Sequence, residues 1–247
     1  MGASAIEFRL RMVMNAAIVI LGFWAPWIET WGIGRRITLL EWAALELGRT
    51  GLVRFTVAVP VVIVVSALLA AIGAVLRVWG TAYLGAGTVN SLDMKAGGVV
   101  ADGPYRYVRN PLYIGLWFMV AAMAFIMPAT GALFAVVFIS VFLMRLILAE
   151  EGFLSVHIGE SYKTYAKAVP RLIPSLRARM PRGGRQPHWV RAVLAELTPI
   201  GVFVSLAFLS WSYDSRLVGR AILIFFGASL IVRALLPTNA DRNQRLA

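Results

Sequence analysis

The sequence contains no cysteine and only two histidines, His157 and His188, in 247 residues. Without cysteine, the chain has no disulfide, no thiolate metal ligand and no cysteine nucleophile. Neither histidine has a second ligand at the spacing that zinc sites use, so we expect no metal centre. The chemistry to look for therefore needs neither a histidine-bound metal nor a thiol of the chain itself.

Charged residues are also scarce. They make up 15% of the chain, whereas 60% is apolar or aromatic and the mean hydropathy is +0.76. Such a composition excludes a disordered chain, a fibrous protein and an ordinary water-soluble enzyme. The charges are unbalanced, with 24 Lys and Arg against 12 Asp and Glu, for a formal net charge of +12. A basic excess of this kind is typical of proteins that contact nucleic acid or an anionic membrane surface.

The apolar residues are concentrated in stretches without charge. A helix of about 20 apolar residues crosses a bilayer core about 30 Å thick. The charge-free runs are residues 12–28, 55–76, 110–144, 197–213 and 221–232. The third run is too long for one span, and Pro128-Ala129-Thr130-Gly131 interrupts it with turn-forming residues. We predict a central helical hairpin over 111–127 and 131–149, in an all-α polytopic membrane protein with about six transmembrane helices.

The first run also has features of a signal peptide, because Arg9 and Arg11 precede its apolar residues. A signal peptide ends at a cleavage site of small residues, and no such site follows Trp24-Ala25-Pro26-Trp27. We therefore expect the first span to stay in the protein.

Basic residues cluster on one side of the predicted spans. Residues 145–191 contain nine Lys or Arg and three Glu, an excess equal to half of the net charge. By the positive-inside rule this segment faces the cytoplasm, and six spans place both termini there too. Loop 29–54 opposes the rule, with four arginines on the outer side. Because the arginines flank apolar spans, we expect a multi-pass protein of the inner or plasma membrane, with membrane lipids and no nucleic acid as partners.

We divide the chain into three regions. Residues 1–50 hold the N-terminal span and loop, 51–175 the membrane core, and 176–247 a basic connector with a C-terminal transmembrane hairpin. Residues 174–188 combine proline, glycine and arginine. This composition predicts a flexible or interfacial connector.

A polar segment, GPYRYVRNPLYIG over residues 103–115, precedes the first helix of the central hairpin. Gly-Pro favours a turn, and Asn110-Pro111 predicts a helix with a side-chain cap and proline at its first position. The free backbone N–H groups of that helix start can receive an anion. We therefore expect an anion-binding helix start at the membrane edge.

The hairpin returns the chain to the side that it left. Arg109 and Asn110 at its start therefore face the same aqueous side as Arg145, Glu150 and Glu151 at its end. Ionisable residues at a membrane edge are costly and mark function by default. A single arginine is more often an interfacial anchor, but the whole cluster predicts a cytoplasmic ligand site.

These residues resemble a family of integral-membrane methyltransferases, which includes isoprenylcysteine carboxyl methyltransferase and the phospholipid N-methyltransferases. The family carries G-P-Y followed by R-H-P-x-Y-x-G, and here residues 103–105 and 109–115 match that pattern. Its second motif matches Glu150-Glu151, Gly159, Tyr162, Tyr165 and the sequence VPRLIP at 169–174. The resemblance covers about residues 75–175.

The resemblance implies methyl transfer from S-adenosyl-L-methionine, held in a cytoplasmic cofactor pocket. The cofactor-binding residues carried over by position are Gly97, Gly98, Val99, Val100, Tyr105, Asn110, Pro111, Leu112, Tyr113 and Glu150. Asn110 stands where the family usually has histidine. Its amide can donate a hydrogen bond to the methionyl carboxylate but cannot carry charge. We expect the cofactor to bind without the help of an imidazolium.

The methyl acceptor implied by the resemblance is a lipophilic small molecule or a lipid, which enters between the helices. A carboxylate, as in isoprenylcysteine carboxyl methylation, is the expected acceptor, and Arg109, Arg145 or Arg171 would orient it. An amine, as in phospholipid N-methylation, would instead lose a proton to Glu150 or Glu151. The predicted catalytic residues are Arg109, Glu151, Arg145 and Arg171.

Two alternatives outside methyl transfer stay open. A membrane sterol or steroid reductase that uses NADPH resembles this superfamily in its C-terminal helices and has an asparagine in a segment like that around Asn110. A non-catalytic membrane scaffold explains the spans but not the converging polar motifs. The acidic pair and residues 170–174 favour methyl transfer.

Overall fold

The computed structural model describes residues 2–24, 37–89, 91, 94, 98–212 and 215–235. In this part of the chain every regular element is helical, apart from an isolated β-bridge between Thr38 and Pro128. The helices are α1 (Ala5–Arg9), α2 (Arg11–Phe23), α3 (Leu39–Arg49), α4 (Phe55–Leu84), α5 (Ala86–Val89), a 3-10 turn (Gly103–Arg106), α6 (Pro111–Ala124), α7 (Ala129–His157), α8 (Glu160–Ala168), α9 (Trp189–Ala195), α10 (Leu197–Ser212) and α11 (Ser215–Leu235). The all-α prediction is confirmed, and the predicted end of the first span, at 25–28, lies outside the described residues.

Several helices start where local side chains satisfy the free N–H groups of the first turn. Ser4 caps α1 and Thr38 caps α3, and in each case a glutamate three residues on bonds back to the cap residue. These capping boxes satisfy two backbone donors reciprocally. Proline occupies the first position of α6, as predicted.

The predicted central hairpin is present as α6 and α7. The turn between them covers residues 125–128 and packs against the start of α3. There the N–H of Leu39 donates to the carbonyl of Met127 and that of Leu40 donates to Phe125, both at 2.9 Å. Helix α7 continues past the predicted end at residue 149 to His157.

The helices have the length and apolarity of a membrane protein. Within the described residues, α4 and α7 are each long and apolar enough to cross a membrane, and α9 with the first part of α10 forms a third such element, bent by 69°. The shorter apolar helices are Arg11–Phe23, Pro111–Ala124 and Arg220–Val232. These elements coincide with the predicted apolar runs, while six crossings stay a prediction.

Helix α4 is longer than predicted. The apolar run ends before Arg77, but the helix continues to Leu84 and has 30 residues, about 45 Å at 1.5 Å each. The continuation is possible because the guanidinium of Arg77 is bonded to the carboxylate of Glu196. A charge within an apolar helix bundle is tolerated when an opposite charge pairs with it.

The apolar helices pack on one another in a series. Helix α2 packs on α7, α7 on α6, α6 on α4, α4 on α10, and α10 on α11. Helices α4 and α6 cross closely, because a Cβ atom on Gly115 would lie 2.9 Å from the carbonyl oxygen of Gly73 and 2.7 Å from Cγ of Arg77. Small residues let helix backbones approach in this way.

The basic connector, predicted as flexible or interfacial, is hydrogen-bonded to the core. The buried carboxylate of Asp102 accepts the N–H groups of Gly183 at 2.7 Å and Arg185 at 2.9 Å. Nearby, Nε of Arg106 donates to the carbonyl of Met180 at 2.8 Å, and the N–H of His188 donates to Ala82 at 2.9 Å. A buried carboxylate requires such donors, and the connector supplies them.

Candidate active site

A cavity of about 710 Å³ lies between the helices and includes the ends of α4 and α7 and the start of α6 in its lining. Its volume is in the range of about 300–1,000 Å³ that small-molecule sites occupy. Residues 98–100, the 3-10 turn, the start of α6 and the end of α7 form one part of its lining, and α2 and α11 form another. The cavity therefore joins a polar edge to apolar helix faces.

Most of the residues predicted to bind the cofactor line this cavity. They are Gly98, Val99, Val100, Tyr105, Asn110, Pro111, Leu112, Tyr113 and Glu150. The remaining one, Gly97, lies outside the described residues. Of the predicted catalytic residues, Arg109 and Glu151 are in the lining. The hairpin thus brings together groups that are about 40 residues apart in sequence.

Tyr113 and Glu150 join the two helices of the hairpin at the cavity wall. The hydroxyl of Tyr113 donates to Oε2 of Glu150 at 2.7 Å. Tyr113 lies in the first turn of α6 and Glu150 near the end of α7, so both helices hold the pair in place. A hydrogen bond to a carboxylate is short and strong. The pair therefore presents an oriented carboxylate to the cavity.

Asn110 does not act as the predicted helix cap, because its side chain makes no capping hydrogen bond to α6. Its amide nitrogen instead donates to Oε1 of Glu151 at 2.9 Å and to the carbonyl of Arg171 at 3.2 Å. An asparagine amide has two N–H donors, and these two bonds use both. Both N–H groups of the amide are therefore bonded within the protein, and the bond from Asn110 to a methionyl carboxylate stays a prediction.

Glu151 is the centre of a buried ionic cluster. Its Oε2 accepts Nε of Arg171 at 2.9 Å and lies 3.4 Å from Nη1 of Arg109. The N–H of Arg109 also donates to the carbonyl of Pro170 at 2.9 Å. Paired and hydrogen-bonded in this way, the carboxylate can be buried at acceptable cost. The cluster connects the start of α6, the end of α7 and the segment around Pro170.

Two of the predicted catalytic arginines do not line the cavity. Arg171 bonds to Glu151 with a partly exposed side chain, and Arg145 bonds both carboxylate oxygens of Glu7 at 2.9 Å. Glu7 belongs to α1, which packs beside α7 at this point. The sequence prediction missed this contact because the partner of Arg145 is 138 residues away.

Three buried tyrosines lie in the motif and in helix α8 beside it. The hydroxyl of Tyr165 donates to the carbonyl of Tyr105 at 2.8 Å. The buried hydroxyl of Tyr105 has no hydrogen-bond partner within the described part of the chain. Burial raises the pKa of Tyr105 and Tyr165 and raises the pKa of Tyr162 to about 12. These phenols are therefore neutral near pH 7, and that of Tyr105 can bond a ligand.

Sequence reasoning missed the cavity residues that lie outside the motifs. Arg11 of α2 is in the lining, and its guanidinium donates to the carbonyls of Phe8 at 2.9 Å, Val89 at 3.3 Å and Ser91. The sequence shows Arg11 only as a charge that precedes the first apolar run. The sequence signal for its place in the cavity is that this charge lies directly before an apolar run.

A second missed feature is a buried ion pair at the cavity wall, where Arg77 is part of the lining. Nε of Arg77 lies 2.6 Å from Oε2 of Glu196, whose Oε1 also accepts the hydroxyl of Thr81 at 2.6 Å. Nη1 of Arg77 donates to the carbonyl of Leu112 at 3.4 Å. Glu196, at the bend between α9 and α10, is 0% exposed. A lone acid directly before an apolar run was the sequence signal for this contact.

Comparison with known proteins gives relatives for the central part of the chain. The phospholipid methyltransferase family matches residues 61–161. Methanethiol S-methyltransferase from Crocosphaera subtropica is 43% identical over 70 residues, which are 28% of this chain and 27% of that protein. Protein-S-isoprenylcysteine O-methyltransferase from Schizosaccharomyces pombe is 38% identical over 78 residues, 31% of this chain and 33% of that protein. No solved structure matches the chain.

The chain thus spans about a quarter to a third of the length of these curated relatives. The matched segment contains most of α4, the polar motif, α6 and α7. Helices α2 and α11 lie outside it. Over residues 61–161 the comparisons confirm the predicted resemblance to the integral-membrane methyltransferases, and both relatives are named as methyltransferases.

Proposed function

We propose that this protein is a membrane methyltransferase that uses S-adenosylmethionine to methylate a lipophilic acceptor at the cytoplasmic face. One observation carries the proposal: the Tyr113–Glu150 pair lies on a cavity wall together with Tyr105 and the 98–100 loop, all within the segment that matches a methyltransferase family. The cavity also reaches apolar faces of the outer helices, as a lipophilic acceptor requires.

The cavity residues fit the proposed cofactor. S-adenosylmethionine supplies a methyl group on a positively charged sulfonium sulfur, and the carboxylate of Glu150 offers a matching negative charge. The hydroxyl of Tyr105 and Nε of Arg109 are buried and have no partner among the described residues. Unpaired buried polar atoms are costly, so a polar ligand would stabilise them. Residues 98–100, Tyr105, residues 110–113 and Glu150 would hold it.

In this proposal the protein contributes position and charge. Glu151 and its two arginines hold the motif against α7, and Tyr113 orients Glu150. A methyl transfer needs donor and acceptor aligned in a site without water, which is a task of positioning. If the acceptor carries a proton, the carboxylate of Glu150 is the base on the cavity wall that can take it.

The acceptor expected from the sequence was a carboxylate, and the name of the fission yeast relative supports that choice. The pairing of the arginines favours an acceptor without charge. Arg145 is bonded to Glu7, and Arg109 and Arg171 share Glu151. A carboxylate acceptor would therefore compete with glutamates for these cations. The name of the cyanobacterial relative supports a thiol.

The cytoplasmic location is part of the proposal. The cavity lies at the end of the bundle that carries the basic residues of the 3-10 turn and of segment 171–185. The positive-inside rule puts such an end in the cytoplasm, where the polar cofactor would be available.

Calorimetric titration of the purified full chain in detergent tests the proposal. We expect binding of S-adenosylhomocysteine, the demethylated cofactor, and no binding of NADPH. Glu150→Gln removes the negative charge that would face the sulfonium and should weaken binding of S-adenosylmethionine about tenfold or more, because hydrogen bonds to charged groups are worth about 1.5–3 kcal/mol. The matched control is Glu160→Gln, which changes an exposed glutamate of α8. Binding of NADPH without S-adenosylhomocysteine would overturn the proposal.

A further inference from the structure

The apolar end of the cavity is built by helices outside the segment that matches the methyltransferase family. On α2 the lining includes Arg11, Asn15, Val19 and Phe23, spaced by four residues and therefore on one helix face. On α11 the lining residues also follow helical spacing. They are Ile222, Leu223, Phe226, Ser229 and Leu230.

These two faces belong to the helices at the two ends of the packed series. In the series of packed helices, α2 and α11 are the two ends, since α2 packs on α7 and α11 on α10. Both line the same cavity. The series of packed helices therefore has α2 at one end and α11 at the other. A molecule dissolved in the bilayer would reach the cavity between these two ends.

Each of the two faces carries one buried polar atom that the protein does not satisfy. Oδ1 of Asn15 and Oγ of Ser229 have no hydrogen-bond partner within the part of the chain that the structure describes, and Ser229 is 1% exposed. Of the other serines within apolar helices, Ser66, Ser140 and Ser155 donate to a backbone carbonyl three or four residues earlier, whereas Ser205 of α10 has no partner among the described residues.

An unsatisfied buried polar group costs about 1–3 kcal/mol, so its presence on a cavity wall needs a reason. Asn15 and Ser229 are otherwise surrounded along their faces by apolar residues. The single charge among the described lining residues of these two helices is Arg11, which is bonded to backbone carbonyls. An uncharged polar group is less costly to place there than an ion.

We propose that Asn15 and Ser229 form the polar seat of the acceptor site. The occupant is an amphiphile with an uncharged hydrogen-bonding head group, a thiol or a hydroxyl, and an apolar tail that lies between α2 and α11. An amide and a hydroxyl can together accept from and donate to such a head group. This inference rests on the proposed methyl transfer and names its substrate class.

Asn15 is one helical turn from Arg11, about 6 Å along α2, and both residues line the cavity that contains Glu150. The head group held by the seat is the nucleophile. Its sulfur or oxygen forms the bond to the methyl carbon, and the bond from that carbon to the sulfonium sulfur breaks with its electron pair on that sulfur. The proton of the head group passes to the carboxylate of Glu150.

Steady-state methylation by the full chain in phosphatidylglycerol and phosphatidylcholine nanodiscs tests the seat, with dodecanethiol, dodecanol and dodecanoate as probes. We expect dodecanethiol or dodecanol to be methylated in preference to dodecanoate. Ser229→Ala and Asn15→Leu should each raise KM for that probe about fivefold, the value of one ordinary hydrogen bond. The affinity for S-adenosylhomocysteine should not change in either variant.

Ser205→Ala is the matched control, because Ser205 is also buried and unpartnered among the described residues but does not line the cavity. It should leave KM unchanged. Two results would overturn the proposal that Asn15 and Ser229 form the seat. One is a preference for dodecanoate, and the other is an equal KM in Ser229→Ala, Asn15→Leu and the control.

A second measurement keeps the seat testable if the proposed methyl transfer fails. Dodecanethiol and dodecanol should raise the thermal unfolding midpoint of the full chain without any cofactor, and dodecane should raise it less. The advantage of the thiol and alcohol over dodecane should disappear in the Asn15→Leu/Ser229→Ala double variant. Failure to bind S-adenosylhomocysteine refutes the methyl transfer alone, whereas an unchanged advantage in the double variant refutes the seat.

Discussion

Arg77 of α4 and Glu196 at the start of α10 form a buried ion pair with 2.6 Å between Nε and Oε2, across 119 residues of sequence. The pair connects the segment that matches the methyltransferase family to a C-terminal helix pair that lies outside the match. Through Nη1, Arg77 also reaches the carbonyl of Leu112 on the cavity wall. The C-terminal helices therefore support the start of α6.

Glu196→Ala should destabilise the protein strongly. The substitution leaves the guanidinium of Arg77 buried without its carboxylate, and breaking one side of a buried pair costs about 3–5 kcal/mol. Chemical unfolding in detergent measures the effect. The double variant Arg77→Met/Glu196→Leu removes both charges and should be more stable than Glu196→Ala. A double variant that is less stable than Glu196→Ala would contradict this interpretation of the pair.

Asn110→Ala should lower stability and activity together. It removes the donor to Oε1 of Glu151 in a buried cluster, and an unsatisfied buried acceptor costs about 1–3 kcal/mol. Asn110→His should retain more of both, because an imidazole can still donate one hydrogen bond to Glu151. Thermal unfolding and S-adenosylhomocysteine titration of the two variants measure this difference. If histidine is no better than alanine, the donor role of Asn110 is wrong.

Gly115→Ala should disturb the crossing of α4 and α6. The added methyl group would lie 2.9 Å from the carbonyl oxygen of Gly73, and backbone cannot yield as a flexible side chain can. Overpacking of this kind costs about 1–3 kcal/mol. Gly152→Ala is the matched control, since its Cβ meets no atom within 4 Å in the described structure. Equal unfolding midpoints for the two variants would contradict the close approach.

The buried tyrosines should make the protein sensitive to alkaline pH. Burial raises the pKa of Tyr162 to about 12, whereas a tyrosine in an unfolded chain titrates near 10. Because the folded pKa is the higher one, the contribution of Tyr162 to stability is complete below about pH 10 and is lost as the pH rises towards 12. Unfolding midpoints between these values should fall less steeply for Tyr162→Phe than for the parent chain. Parallel pH curves would show that Tyr162 does not contribute.

Much of the helix pattern was predictable because it depends on neighbouring residues. Apolar runs predicted the helices, and Pro128 and Pro111 predicted where the hairpin turns and where α6 begins. The cap at Asn110 was wrong for a physical reason: the charged carboxylate of Glu151 attracts its amide more strongly than the neutral N–H groups of α6 do.

The candidate site was predictable only in part. The motif residues 109–113 and Glu150 reach one cavity, because a hairpin returns the chain to its own start. The same hairpin argument predicted Arg145 at this place, but Arg145 lies outside the lining and is bonded to Glu7. A residue of α7 contacts whichever helix packs on its face. That helix is often far away in sequence, as α1 is for Arg145.

The sequence by itself determined the membrane-spanning composition, the order of the helices and the polar motif, because hydrophobicity and turn chemistry act over a few residues. The tertiary structure alone decided that Arg77 pairs with Glu196, that the amide of Asn110 donates to Glu151, and that α2 and α11 complete the cavity. Ion pairs and buried hydrogen bonds depend on atoms meeting within about 3 Å. Such meetings between distant segments follow from packing and cannot be derived from local pattern.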